Sequence, residues 1–242
     1  MAKKGIVIQF QKIRKENRMI WVLVWILGVL LLVYCRQMYG VHETEENVQR
    51  VPEGAAKVRC ESIFGWITRE DRMITDGEEY AQGPDFTDLQ PGDILLTLST
   101  HSLGWRHGHV GLVIDENTTL ESALIGTDSS YADPQNWRKY SNYCVLRVKG
   151  VSSEQQQAVV KYACENLYGV PYHLSAGFLK EKAPSSDSSG FGLQCAYLVW
   201  YAWYQLGYDL DSDGGRLVTA SDLLASDLLE VVQVYGMGKE HH

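Results

Sequence analysis

The spacing of hydrophobic and polar positions changes several times along the chain, and each change marks an element. The first pattern is an unbroken apolar run at 19–35, MIWVLVWILGVLLLVYC, without a charged side chain. At a rise of ~1.5 Å per residue a helix of this length just spans a bilayer core. Trp21, Trp25 and Tyr34 suit its interfacial ends. Residues 36–85 then lose any clear period and carry a Glu-rich patch around Glu43, Glu45 and Glu46. They read as a juxtamembrane spacer, partly helical, with an amphipathic piece near Ile63–Trp66.

From Leu89 the texture is that of a folded domain. Leu89-Gln90-Pro91-Gly92-Asp93 is a turn, and the apolar runs at 94–98 and 109–114 predict two buried strands. Asp115-Glu116-Asn117 predicts a hairpin loop with Asn117 in the left-handed region, 118–125 a returning strand, and 144–148 a fourth. A helical period follows over 153–168, where Ala158, Val159, Tyr162, Ala163 and Leu167 form a stripe. Ser153 and Gln156 have capping-box spacing, and Gly169 and Pro171 end the helix. A polar Ser/Gly loop at 181–192 leads into 194–206, which is apolar nearly all round and therefore predicts a central, buried helix. A final amphipathic segment covers 220–235. The elements predict an α+β domain over 86–242, tethered through 36–85 to a span at 19–35, with a basic segment at 1–18.

Charge sharpens the membrane reading. Lys3, Lys4, Lys12, Arg14, Lys15 and Arg18 face only Glu16 in the first eighteen residues, a balance of +5, which leaves −13 on the rest of a chain whose net charge is −8. Basic residues on one side of a span keep that side in the cytoplasm, so the domain is expected outside, on a single-pass plasma-membrane protein. Tyr34 is too bulky before Cys35 for a lipoprotein cut, and no A-x-A site follows, so an uncleaved anchor is the expectation. The acidic body argues against a nucleic-acid partner. The five cysteines, Cys35, Cys60, Cys144, Cys164 and Cys195, include no CxxC pair. Outside the cytoplasm a bridge among Cys60, Cys144 and Cys164 is open.

Three residues carry chemistry. Cys195 opens the buried helix, where the positive end of the helix dipole and unpaired backbone N–H groups favour a thiolate and could hold an oxyanion. His109 opens the second strand between glycines and supplies the base that a thiol needs. If the hairpin loop is 115–117, Ile114 faces Thr118, Gly111 faces Glu121 and His109 faces Ala123. Glu121 is then a diagonal neighbour of His109 on one sheet face, able to orient the imidazole across the space left by Gly111. Each residue alone has a plainer reading, a core thiol, a structural histidine and a solvent-facing carboxylate; their joint placement distinguishes them.

Three groups of segments resemble a known family. Leu89-Gln90-Pro91-Gly92-Asp93-Ile94-Leu95, Gly108-His109-Val110-Gly111-Leu112-Val113-Ile114 and Leu120-Glu121-Ser122-Ala123 resemble the front half of the permuted papain-like hydrolases of YiiX type, within the NlpC superfamily. Gly169-Val170-Pro171-Tyr172 and Gln194-Cys195-Ala196-Tyr197-Leu198-Val199 resemble the back half, and Val218-Thr219-Ala220-Ser221-Asp222-Leu223-Leu224 the tail. The resemblance implies a small antiparallel sheet or half-barrel packed on the Cys-bearing helix. It also implies a permuted order, with His109 as base, Glu121 as orienting group and Cys195 as nucleophile. Relatives often carry Cys-Ser-Glu where this chain has Cys195-Ala196-Tyr197, which changes the substrate contacts at the helix start.

Other residues complete the expectations. Tyr172 and Gln194 are candidates for oxyanion or substrate contacts, each with a plainer structural role. Trp105 and Trp137 either line a groove or cover the core. His101, His107 and His109 lack a recognised metal-ligand spacing, so no metal and no cofactor is expected. Asp209-Leu-Asp211-Ser-Asp213-Gly214 begins like a calcium loop but reaches Ala220 where a bidentate glutamate belongs, and reads as an Asp/Gly turn. The expected activity is that of a cysteine amidase or peptidase on cell-wall peptide. The rival readings are a lipid acyltransferase resembling lecithin:retinol acyltransferase, which also places His before Cys, and a tethered binding module with a dead site.

Overall fold

The computed structural model describes residues 22–30, 57–64, 68–74, 80–102, 105–174, 176, 182–183 and 191–237. Residues 22–30 form a helix, α1, with exposed apolar side chains. The remainder of the 19–35 run lies outside the described residues, among which no helix is long and apolar enough to cross a membrane.

The fold is α+β with antiparallel sheets. A six-stranded sheet has the order β7 (Ser130–Ala132), β6 (Thr118–Glu121), β5 (His109–Asp115), β3 (Ile94–Thr97), β8 (Tyr143–Val148), β9 (Leu229–Tyr235). The central strands β3 and β5 are the apolar runs of the sequence, buried on both faces. Alternation sends their side chains two ways. Ile94, Leu96, Val110, Leu112 and Leu120 pack with α3 (Cys195–Tyr204) in the main core. Leu95, Val113 and Val145 pack with Trp137 and Tyr140 on the other face, under a 3-10 helix at Pro134–Lys139. Helix α3 is buried from Ala196 to Trp203, as its all-round apolar pattern requires. Helix α2 (Ser153–Asn166) lies outside it in the same core.

Several boundaries differ from the sequence expectation. The α2 capping box is Ser152 with Gln155, one residue earlier than the Ser153–Gln156 spacing, because Ser152 takes the extended cap conformation. The β5–β6 hairpin pairs Gly111 with Glu121 as expected. However, Asp115 rather than Ile114 meets Thr118, which narrows the loop to two residues, with a bulge between Val113 and Asp115. Strand β6 stops at Glu121 instead of reaching Ile125, so His109 has no partner at Ala123. The chain turns instead, with Thr127 N–H and hydroxyl donating to the Leu124 carbonyl at 3.2 and 2.8 Å. The 220–235 segment divides into α4 (Ala220–Leu224) and the edge strand β9. Cys144 and Cys164 are free thiols, so no bridge joins them. Cys144 is a core residue of β8, in an apolar setting that pushes its thiol up to about 12. The Cys60 side chain lies outside the described residues.

The largest difference is in the expected spacer. Residues that read as partly helical form β1 (Lys57–Phe64) and β2 (Thr68–Ile74), a hairpin that pairs through β2 with β4 (Thr100–Ser102). The sequence Thr-Arg-Glu-Asp-Arg hides this strand because its buried residues are charged. Asp71 is buried against His101 and Arg106, at 3.3 and 2.9 Å. Glu70 is buried against Arg72 and the Tyr140 hydroxyl. Paired charges can be buried where lone ones cannot.

Gly108 joins β4 to β5 with φ of +72°, and a Cβ there would lie 2.6 Å from the Thr97 carbonyl oxygen and 2.8 Å from the Ala220 methyl. Neither neighbour can yield without moving the strand. Gly108→Ala should therefore cost more than about 2 kcal/mol, read as a lower urea midpoint at unchanged slope. A midpoint within error of wild type would contradict this packing.

Candidate active site

The site is built from the first residue of β5, the last of β6 and the first of α3. His109 Nε2 meets Glu121 Oε2 at 2.9 Å. Cys195 lines the same cavity and interacts with this imidazole closely enough to help hold its proton. With Nε2 committed to the carboxylate, Nδ1 is the nitrogen left for the thiol. The order thiol, imidazole, carboxylate is the one expected from the sequence, and the diagonal placement of His109 and Glu121 follows from the register that pairs Gly111 with Glu121.

Glu121 is itself held. Its Oε1 accepts from Thr119 Oγ1 at 2.6 Å and from Trp137 Nε1 at 2.8 Å. Burial disfavours the carboxylate, but the His109 hydrogen bond and charge, with the Thr119 and Trp137 donors, outweigh it and keep the carboxyl below its usual range. Trp137 also stacks on His109, with ring centroids 5.0 Å apart and planes 10° from parallel. Gly111 makes room for this arrangement: a Cβ would sit 3.0 Å from Trp137 Cζ2 and 3.1 Å from Glu121 Cγ.

Burial would by itself strip the proton from His109. The interaction with Cys195, and the hydrogen bond and charge of Glu121, reverse this and push the imidazole from 6.5 up to about 10. The folded state thus binds the proton more tightly than the unfolded one. This stabilisation is complete below pH 6.5 and is lost as the pH rises through about 10. Glu121→Gln removes the charge at constant size. Its His109 should release the proton at a pH lower by about one unit or more, and any His109-dependent rate should fall about a hundredfold. The basic limb of the pH–rate profile reads the first effect; an unmoved limb would remove Glu121 from its orienting role.

Gln194 caps α3. Its Oε1 accepts the Ala196 N–H at 3.2 Å and lies 3.6 Å from the Cys195 sulfur, while its Nε2 donates to the Val218 carbonyl. The side chain thus positions the helix start, and Gln194 also lines the cavity. Tyr172 does reach the site: it lines the cavity, and burial followed by the charge of Cys195 raises its hydroxyl above the usual range. The three histidines diverge. His101 turns to Asp71, while His107 meets Ser102 Oγ at 2.9 Å and the Gly108 carbonyl at 2.8 Å. Trp105 is exposed at the rim, whereas Trp137 is buried under His109.

These groups open into a cavity of about 480 Å³. Ala123, Leu124, Ile125, Leu174, Leu217 and Val218 make one apolar wall, and β2 and β4 face the cavity with Thr68, Glu70, Arg72, Thr100 and Ser102. Sequence reasoning missed the roles of Trp137 and Thr119. Thr119 had a signal, being two residues before Glu121 and hence on its strand face. Trp137 had only the Asp133-Pro134 helix start to place it, and nothing local aims it at His109.

Asp211, Asp213 and Asp222 bring carboxylate oxygens within 4.8 Å of one another, a hard donor set of the calcium type. Each is already engaged. Lys182 pairs with Asp211, Asp213 accepts from the Gly215 N–H, and Asp222 caps α4 by accepting from Thr219 N–H and Oγ1, both at 2.7 Å. Asp209 and Asp211 likewise accept backbone N–H groups two residues on, the Asp turn expected from the sequence.

No protein-family model matches the chain, and no curated protein does. Among solved structures the chain is similar to the crystal structure of the metalloprotein yiiX from Escherichia coli O157:H7, DUF1105. The two are 20% identical, with a TM-score of 0.45, over 60% of this chain and 96% of that one.

Proposed function

We propose that the chain is a membrane-anchored cysteine hydrolase, with its catalytic domain outside the cytoplasm, that opens amide bonds through a Cys195 acyl-enzyme. The observation that carries this reading is the series Cys195–His109–Glu121 lining one cavity, with His109 and Glu121 hydrogen-bonded at 2.9 Å and Cys195 helping to hold the imidazole proton. The Cys195 thiolate attacks the carbonyl carbon, forming the C–S bond as the carbonyl electron pair moves to oxygen. The first turn of α3 offers the Cys195 N–H to that developing charge, the Ala196 N–H being held by Gln194 Oε1. His109 Nδ1–H delivers its proton to the leaving nitrogen as the C–N bond breaks. Water then attacks the thioester while the neutral imidazole takes its proton, releasing the acid and restoring the thiolate. Glu121 keeps Nε2 as a donor throughout, so that Nδ1 is the exchanging nitrogen.

The basic segment before an apolar run at 19–35 supports the anchor and the exported domain. That location makes cell-wall peptide the first substrate to try. The apolar wall supports a second reading, acyl transfer or hydrolysis on a lipid acyl group. The test is product formation by the full chain in detergent from peptidoglycan fragments and from long-chain acyl esters. Amide cleavage alone supports the first reading and ester cleavage alone the second. Neither product, together with no labelling of Cys195 by iodoacetamide at neutral pH, would leave a tethered binding module.

A further inference from the structure

Exposed apolar side chains are not spread evenly over the domain. Among its described residues the four most exposed large ones are Leu174 (64%), Trp105 (58%), Tyr168 (53%) and Ile125 (52%). Tyr168 has a partner in Tyr131, on which it stacks with ring centroids 4.6 Å apart. The other three all line the Cys195 cavity. Side chains that are both exposed and part of a cavity wall stand at its mouth. Half or more of three such side chains is on the order of 300 Å² of apolar surface in one place, whereas single scattered residues would need no explanation.

Three separate segments bring them there. Trp105 closes a tight turn in which the Ser102 and Trp105 backbones exchange N–H to carbonyl bonds, both at 2.9 Å, and its ring meets His107 edge-on with centroids 5.6 Å apart. Ile125 sits in the turn after β6, inside the Thr127–Leu124 hydrogen bond, and Leu174 follows Tyr172 by two residues. Charge is segregated from these segments. Residues 102–106, 123–127 and 171–175, with 214–220 around the wall residue Leu217, contain no Asp or Glu, although residues 19–242 carry −13, the net −8 less the +5 of residues 1–18. The charged residues that they do contain are Arg106 and Arg216. An apolar centre with a tryptophan, basic flanks and no carboxylate is the composition of a surface that rests on a bilayer.

We infer that the mouth of the Cys195 cavity is a docking surface for the bilayer that holds the 19–35 run, with Trp105, Ile125 and Leu174 entering the headgroup region. Residues 36–56 separate that run from β1 at Lys57, and a chain of this length reaches at most about 70 Å when fully extended. The bilayer is therefore always within reach of the domain, at an effective concentration that a free partner does not have. Anionic headgroups repel the acidic remainder of the domain and leave the carboxylate-free mouth as the face to approach them. Docked this way, the cavity opens toward lipid, and a substrate held in the bilayer enters it without crossing water. This inference rests on the anchor of the reading above and is independent of the chemistry at Cys195.

Photolabelling from the lipid tests both parts separately. The full chain would be reconstituted in vesicles of phosphatidylcholine and phosphatidylglycerol that contain a phosphatidylcholine with a diazirine near the carbonyl end of one acyl chain, irradiated, and mapped by peptide mass spectrometry. Adducts should form on Trp105, Ile125 and Leu174 about tenfold more often than on Val231 and Val234, which are also exposed but lie on the edge strand β9 and do not line the cavity. Adducts within 19–35 report the anchor. Ile125→Asp with Leu174→Asp should cut the Trp105 adducts about tenfold, leave those within 19–35 unchanged, and keep the Tm close to wild type because both side chains are exposed. Labelling of 19–35 with no excess at the mouth over β9 would overturn the docking surface and leave the anchor standing. Mouth adducts that survive the double substitution would also overturn it. Mouth adducts without any in 19–35 would keep the surface and remove the anchor, and no adducts at either place would remove both.

Discussion

Cys195→Ala should lower the rate of acyl-enzyme formation about 10⁴-fold or more, while leaving the fold in place. The hydrogen bond of the sulfur to Gln194 Oε1 is long, 3.6 Å, and the residue is only partly buried. The helix start keeps its Ala196–Gln194 cap without it. Thermal unfolding should therefore stay close to wild type when activity is gone. The substitution also removes the first of the interactions that raise His109, so the imidazole should lose its proton below the value of about 10 that it has in the intact site. In the wild-type chain, iodoacetamide at neutral pH should mark Cys195 far faster than Cys144, which is buried and pushed up to about 12. Equal product from the wild-type and Cys195→Ala chains would end the thiol mechanism.

Trp137→Ala should be the most damaging single change outside the nucleophile. Trp137 is 1% exposed and is the largest side chain of the smaller core cluster, so its truncation should cost about 3–5 kcal/mol of stability. It would also remove the plate on which His109 stacks and a donor to Glu121 Oε1. Trp137→Phe separates the two roles. Most packing and the stacking partner remain, the N–H is lost, and Thr119 remains as the donor to Oε1. The Phe variant should recover most of the stability by urea unfolding. Its kcat should still fall about tenfold, a typical worth for one hydrogen bond to a charged group. A Phe variant with wild-type kcat would reduce Trp137 to a core residue.

Much of the site was legible because its parts are local. The β5–β6 hairpin is short, its strands are apolar, and a strict two-residue period carries the register from the turn to Glu121. That was enough to set His109 and Glu121 diagonally, even though the loop proved one residue tighter on its β5 side and a bulge took up the difference. The start of α3 was legible for the same reason: an all-round apolar run after a polar loop has to begin a buried helix. Gln194 was visible as a neighbour of the nucleophile, but its use as a cap depends on Val218, twenty-four residues later.

The amino-acid order alone determined the α+β character, the central strands, the buried helix, the apolar run at 19–35 and the thiol, imidazole and carboxylate. Each of these follows from periodicity or from chemistry within one or two turns. Tertiary structure decided what holds the carboxylate, what the histidine stacks on and what faces the nucleophile across the cavity. Trp137 reaches Glu121 across sixteen positions, and Glu70 meets Tyr140 across seventy. The β1–β2 hairpin is the clearest case, since its buried charges read as solvent-facing until partners from β4 and from Arg106 and Tyr140 neutralise them. A period reports which residues avoid water by themselves; it is silent on polar residues that are buried because a distant partner pairs with them.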